Sequence, residues 1–514
     1  MYTIDREADT PLYMQIRDRI ISAVQSSELK PGDKLPSVAA LAREIGVTQA
    51  TIRRALQDLG DAGYTDSHVG RGTFICESTM ASADTEESES HGSTSAPSGT
   101  SRPNPINALQ FAGRRLRSGI KKALFDIMPL AHKPGIIQLT RGVPDDKLLA
   151  PKFLEDVTQE TLAGGSQQFI QATEELGLAA LRQEIARRFN EDGNAISADQ
   201  VLITNGAIQG VALVAQAFME KQPGIICETP CFQGIPDTFT AMGHWVETVP
   251  RDENGPHIEK LHRFAKEKPH LLYLCPFAHN PTGTDLSPAR YQELTSWARK
   301  TGSIIVADEI FKELRYDNTL RPSLFMELGG EQTVVVSSLS KSVMTGLRIG
   351  WIISSRERIQ ELAQLKRLMD HSTPSLIQGM ALTIFTSGRF DSHTDTMRTL
   401  YRKRMETMLE ALKTHMPPGV TWTLPSGGFS LLLELPKGYS SVALLLLAVD
   451  NGVSFLPGPL FDIDQRYVHT LRLSTAWSNT REIREGIELL AGAIEEYIRR
   501  PPEDSGLSGL GNFQ

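Results

Sequence analysis

The chain has 514 residues, 40% of them hydrophobic and 22% charged, a size and balance that allow several buried cores and predict more than one domain. Its longest apolar run, Val442 to Val449, is far short of the ~20 residues that cross a bilayer, and the opening MYTIDREADT lacks the apolar centre of a secretion signal, so a cytoplasmic location away from membranes is expected. A net charge of −8 excludes general affinity for nucleic acid, so any DNA contact must come from a local basic surface.

Leu12, Ile16, Ile20 and Val24 recur every fourth residue and predict a first helix ending before the Pro31-Gly32 turn. Ser37 is placed to cap a second helix that buries Val38, Leu41, Ala42 and Ile45, with Gly46 supplying its left-handed stop. Thr48 caps a third, which buries Ile52, Leu56 and Leu59 and ends near Gly63. The segment HVGRGTFI follows as a two-stranded wing ending at Ile75, with Arg71 at its tip. Two helices joined this tightly make a helix-turn-helix, whose second helix fits a major groove; a three-helix scaffold with an incidental charged face has the same pattern.

Residues 1–76 thus read as one domain. Glu77 to Pro105 is dense in Ser, Thr, Glu, Gly and Pro and offers nothing to offset the entropy of ordering, so 77–110 is expected to be a flexible linker, 111–500 a large domain, and 501–514 a solvated tail. Cys76, Cys227, Cys231 and Cys275 lack the spacing of a zinc site and read as reduced thiols, with no metal expected.

From Val201 the strands VLIT, GIICE, LLYLCP, SIIVADE, VVVSSLS and IGWIIS alternate with helices beginning at Ala207 and near Pro288, the signature of a mostly parallel, helix-covered sheet whose chemistry gathers at strand carboxyl ends. At those ends lie Lys341, able to form a Schiff base if its pKa is depressed, and Ser338 and Arg348, able to grip a phosphate. Asp308 can keep a pyridine nitrogen protonated, and the Asn280 amide can donate to a ring oxygen. The turn TNGAIQG, with Gly206 and Ala207, offers backbone amides to phosphate; Phe232 can cover a ring face and Arg472 can pair with a carboxylate. Each has a plainer reading: a loop lysine with a solvated arginine, a capping or metal-binding Asp, an Asn-Pro turn, a core Phe, an Arg in a structural salt bridge.

Two resemblances join these signals. PLYMQIRDRI, KPGDKLPS, LAREIGVTQATIRRALQDL and GRGTF resemble the GntR-type winged helix, which implies DNA contacts from Ser37, Thr48, Gln49, Thr51, Arg53, Arg71 and Gly72. Ala39 and Gln49 stand where that family usually has Arg; since Gln favours adenine where Arg reads guanine, a different operator is expected. The ordered set TNGA, PCF, HNPTG, ADE, SLSK with Arg348, and Arg472 resembles the fold-type I aminotransferases from Ile137 to Tyr497. That likeness implies an α/β fold with a large, mostly parallel sheet domain and a small α+β domain. It also implies pyridoxal 5'-phosphate held on Lys341, with Asp308 on the pyridine nitrogen and Asn280 on the ring hydroxyl. Gly206, Ala207, Ser338 and Arg348 would then bind phosphate, Phe232 would stack on the ring, and Arg472 would hold an α-carboxylate.

Phe311 stands where many relatives have Tyr, and QATEEL at 171–176 lacks another Tyr of the family, which places efficient transamination in doubt while leaving the charged anchors. The combination is similar to the MocR group of regulators. It implies a homodimer in which the cofactor, or an amino acid or amine acting on it, biases operator binding. An active aminotransferase carrying a DNA-binding module is the alternative; a large domain that has lost the cofactor sits poorly with the retained Lys341, Asp308, Asn280 and Arg348.

Overall fold

The computed structural model describes most of residues 12–75 and, apart from 151, 219–223, 265–269, 318–322 and 465, residues 135–499. The chain forms two compact units that part between Arg102 and Pro103.

In the first unit α1 (Leu12–Gln25) and α2 (Val38–Ile45) pack with helical residues at 51–52, 55–56 and 59. Ile16, Ile20, Leu41, Ile45, Ile52, Leu56 and Leu59 form the core; the side chains of Leu12 and Val24 lie outside the described residues, and Ala23 is buried near the end of α1. Burying a side chain of this size contributes about 1.5–3 kcal/mol, which a unit this small cannot easily forgo. The Ser37 hydroxyl accepts the Ala40 N–H at 3.2 Å, and Gly46 ends α2 at φ 75°. The Thr48 hydroxyl accepts the Thr51 N–H at 3.3 Å. Antiparallel β1 (Thr65–His68) and β2 (Gly72–Ile75) form the wing, with His68 opposite Gly72.

The second unit is built on strands, eight of which form its main sheet. Those needed here are β3 (Ile137–Gln138), β4 (Val201–Thr204), β5 (Gly224–Thr229), β6 (Val246–Asp252), β7 (Gly255–Pro256), β8 (His270–Leu274), β9 (Ile304–Asp308), β10 (Thr333–Ser338) and β11 (Gly350–Ile353). The main sheet runs β4-β11-β10-β9-β8-β5-β6-β7, parallel from β10 through β6. β11 lies antiparallel between β10 and β4, and β7 closes the other edge antiparallel to β6. Successive residues feed opposite faces: Ile203, Ile226, Leu272, Ile305, Val335 and Ile353 enter one core, while Leu202, Ile225, Leu271, Val306, Val334 and Ile352 enter the other. A sheet buried on both sides explains the near-continuous apolar runs of these strands.

Helices α3 (Ala207–Ala217), α4 (Pro288–Thr301) and α5 (Arg356–Asp370) cover this sheet. After α6 (Ser375–Thr386) the long α7 (Arg389–His415) leads to a four-stranded antiparallel sheet, β12-β13-β16-β15, made of β12 (Thr421–Trp422), β13 (Ser430–Glu434), β15 (Leu456–Pro457) and β16 (Thr470–Ser474). Its core is shared with α8 (Ser441–Asp450) and α9 (Thr480–Ile498), and β14 (Val453–Ser454) pairs in parallel with β3. This is the expected large mostly parallel domain with a smaller α+β domain. In the main sheet, β6, β7 and the reversed direction of β11 are additions to the sequence reading.

Candidate cofactor pocket and nucleic-acid surface

The parallel strands and β4 end on one side of the sheet, where a cavity of about 240 Å³ is lined by Ala207, Phe232, Asn280, Asp308, Lys341 and Arg348. Six of the nine residues expected to serve a cofactor or substrate therefore converge on one space.

Lys341 sits on a single helical turn, Leu339–Ser342, which β10 delivers into the cavity. Its ammonium donates to the Gly142 carbonyl at 2.7 Å. Burial lowers its pKa from 10.5 to about 8; nearby Arg472 and Arg348 push the same way and Asp308 opposes them. An amine brought this close to neutrality has a substantial uncharged fraction available to attack a carbonyl.

Asp308, the last residue of β9, is 7% exposed. It accepts the Tyr273 hydroxyl at 2.6 Å and the Ile310 N–H at 3.1 Å. Burial raises its pKa, and the Tyr273 and Ile310 bonds and the Lys341 charge oppose that shift. Tyr273 was missed in the sequence reading, although a lone Tyr in an apolar strand such as LLYLCP needs a partner for its hydroxyl.

A second wall is a cup for an anion. Gly206, at φ 84°, caps α3, whose first amides have no partner within the helix and carry its positive dipole end. A Cβ on Gly206 would come within 2.8 Å of the Arg348 guanidinium, and one on Gly350 within 2.6 Å of the Gly206 backbone, so both positions require glycine. Arg348, itself left-handed at φ 52°, donates to the Asn205 carbonyl at 3.3 Å. Ser338, expected at the phosphate, lies outside the residues lining this cavity. Its hydroxyl is buried, donates to the Ile349 carbonyl at 2.7 Å and accepts the Ser340 N–H at 3.1 Å, whereas Ser340 lines the cavity. The one-turn helix rotates the third residue before Lys341 into the cap and the residue immediately before it toward the open space.

Asn280 precedes a cis peptide to Pro281, and its Oδ1 is buried without a hydrogen-bond partner. Phe232 stands half exposed at the rim, and Phe311 is buried in the wall, edge-on to Phe429. Arg472, on β16, is 3% exposed and lies outside the residues lining the cavity. It donates to the Thr140 carbonyl, its Nε has no partner, and no carboxylate among the described residues pairs with it. Burial lowers its pKa to about 10. The salt bridge that offered a structural explanation for this arginine is thus absent from the described residues.

In the cavity wall, Glu228 is fully buried, accepts the Cys275 N–H at 2.5 Å, and lies 3.7 Å from Arg251 and 3.5 Å from His279. Burial raises its pKa to about 7 despite Arg251.

On the first unit Ser37, Thr48 and Gln49 are exposed and Thr51 half-buried, while Gly72 opens β2. Arg53 and Arg71 lie outside the described residues.

A lysine at the end of a strand, a buried acid beside it and an anion cup at a helix N-terminus define the cofactor pocket of a transferase fold joined to a winged helix-turn-helix. Residues 134–490 match the aminotransferase class I and II family, and the chain belongs to that family; residues 12–75 match the bacterial regulatory proteins of the gntR family. It is 32% identical to 2-aminoadipate transaminase of Thermus thermophilus, over 75% of this chain and 96% of the relative. It is 27% identical to the uncharacterized HTH-type transcriptional regulator YdfD of Bacillus subtilis, over 95% of this chain and 98% of the relative, so the two-unit architecture is shared along the length. Among solved structures it resembles LysN, the α-aminoadipate aminotransferase of Thermus thermophilus complexed with N-(5'-phosphopyridoxyl)-L-leucine, at TM-score 0.68 and 28% identity, covering 77% of this chain and all of that one. No helix among the described residues is long and apolar enough to cross a membrane.

Proposed function

We propose that this protein is a cytoplasmic, homodimeric transcriptional regulator that reads operator DNA with residues 12–75 and carries pyridoxal 5'-phosphate in the large unit as a sensor of amino compounds. The observation that carries the reading is the convergence of Lys341, Asp308, Asn280 and Arg348 on one cavity in a chain that begins with a DNA reader.

The residues fit the cofactor. Lys341 would hold its aldehyde carbon, Asp308 its pyridine nitrogen and Asn280, donating from its side-chain N–H, its ring oxygen. The Gly206–Ala207 turn, Ser340 and Arg348 would hold the phosphate, and Phe232 would cover the ring. When bound, the cofactor supplies an electron sink for amino-acid chemistry. Tyr273 donates its proton to Asp308, a bond that favours the ionised acid, while Arg472 offers a buried guanidinium to an α-carboxylate. Phe311 lines the cavity and gives the ring oxygen no hydroxyl, one hydrogen bond fewer than a Tyr there would supply.

A ligand shifts operator binding only by its differential affinity for two states of the dimer; tenfold preference supplies about 1.4 kcal/mol. The test is the visible spectrum with pyridoxal phosphate, in wild type and Lys341→Ala, followed by operator affinity with and without cofactor and amino acids. A Lys341-dependent band together with cofactor-dependent operator affinity is expected. Identical DNA binding in every state, alongside multiple turnovers between an amino acid and a keto acid, would establish the working aminotransferase with an appended reader instead. The retained Asp308–Tyr273 pair is the feature that favours this second reading.

A further inference from the structure

The anion cup is held from outside by a residue 165 positions away in sequence. Asp370, the last residue of α5, accepts the side-chain amide of Asn205 at 2.5 Å and that of Gln209 at 2.6 Å, both on one carboxylate oxygen. Its other oxygen accepts the ammonium of Lys366 at 2.6 Å, and Lys366 is fully buried. The Gln209 amide oxygen in turn accepts the Asn205 backbone N–H at 2.7 Å. Asn205 and Gln209 bracket Gly206 and Ala207, and the Asn205 carbonyl accepts Arg348. Every side of the turn that aims the first amides of α3 is therefore fixed by a bond, and two of those bonds end on Asp370.

We propose that Asp370, neutralised by Lys366, is a positioning residue that sets the affinity of the Gly206–Ala207 cup for a phosphate monoester. This rests on the reading of the large unit as a pyridoxal-phosphate domain. Three donors converge on Asp370. An Asn in its place has one acceptor oxygen and an amide that must face either the Lys366 ammonium or the two side-chain amides, donor against donor. The turn then loses at least one tie, and the Lys366 charge is left buried without its anion. A helix N-terminus binds phosphate through the direction of a few N–H groups, so rotation of the turn weakens the phosphate contacts while leaving Lys341 and Asp308 in place.

The test compares pyridoxal phosphate with pyridoxal, which has the same ring and aldehyde and no phosphate. Both are titrated spectroscopically against the full chain in wild type, Asp370→Asn and Asn205→Ala. Asn205→Ala removes a single tie and leaves the Lys366–Asp370 pair intact, which guards against a folding failure in the first variant. Affinity for pyridoxal phosphate is expected to fall about tenfold or more in Asp370→Asn and by less in Asn205→Ala, with affinity for pyridoxal within about twofold of wild type in both. Equal losses for the two ligands would make Asp370 merely structural, and an unchanged ratio in both variants would overturn the proposal. If Asp370→Asn fails to fold, Asn205→Ala alone decides by the same ratio. Wild type without a Lys341-dependent band marks the different failure, that of the cofactor reading itself, and this proposal falls with it.

Discussion

The reader and the pocket treat their functional side chains in opposite ways. Ser37, Thr48 and Gln49 stand exposed on the first unit, and the side-chain bonds of Ser37 and Thr48 to described residues are local, to Ala40 and Thr51. Lys341 and Asp308 in the pocket, and Arg472 near it, are each held by a protein partner: the Gly142 carbonyl, the Tyr273 hydroxyl and the Thr140 carbonyl. An exposed contact is exchanged at little cost to the fold, so the sequence read can drift; a buried one is wired to neighbours, so the chemistry of the pocket changes only through several residues at once.

That contrast is sharpest at Arg472. Arg472→Leu removes a charge-assisted contact worth about 1.5–3 kcal/mol, so affinity of the cofactor-loaded protein for an amino acid is expected to fall about 10- to 100-fold by titration. The same change deletes a buried cation with no carboxylate partner among the described residues, so the melting temperature should hold or rise; a large drop would make the arginine structural.

The next effect is in pH. With Lys341 at about 8, the uncharged amine grows about tenfold per pH unit below pH 7 and levels off above pH 8, and the rate of pyridoxal-phosphate capture by stopped-flow absorbance should follow it. Stability carries the matching sign. Between about pH 8 and 10.5 the unfolded chain holds a proton on this lysine that the folded chain lacks, so this group adds stability as pH rises through that window and adds none below it. A capture rate still rising about tenfold per unit from pH 8 to 10 would contradict the lowered value.

Smaller effects belong to the reader. Gln49→Ala is expected to reduce discrimination at one base pair by about 1–3 kcal/mol, measured as the ratio of Kd for operator and single-base variants, with stability unchanged. Ser37→Ala should cost about 1 kcal/mol of stability through the lost cap of α2, seen in the denaturation midpoint. Loss of all base preference in the second variant and none in the first would reverse the assignment of Gln49 as the specific contact.

Much of this was legible because the signals are local. Caps, left-handed glycines and apolar runs that end in Asp308 or lead to Lys341 are written within a few residues. β6 was missed because VETVPRD mixes Thr, Glu and Arg into its pattern, and the reversal of β11 has no mark in IGWIIS. Ser338 was expected at the phosphate and Ser340 was not named, because which hydroxyl faces the cavity depends on the rotation of one helical turn. Tyr273 with Asp308 and Asp370 with Asn205 and Gln209 depend on which strands and helices become neighbours, information that no window of sequence contains.

The Gly142 carbonyl accepts Lys341 in the pocket, and the Thr140 carbonyl accepts nearby Arg472, so both cations rest on neutral oxygens. An incoming molecule must therefore outbid a neutral acceptor to claim Arg472, and an ester or primary amide would exchange one carbonyl for another with nothing gained. A carboxylate adds its full charge to that exchange. On the proposed function, the short stretch 140–142 would act as an internal competitor that separates free amino acids from their uncharged derivatives.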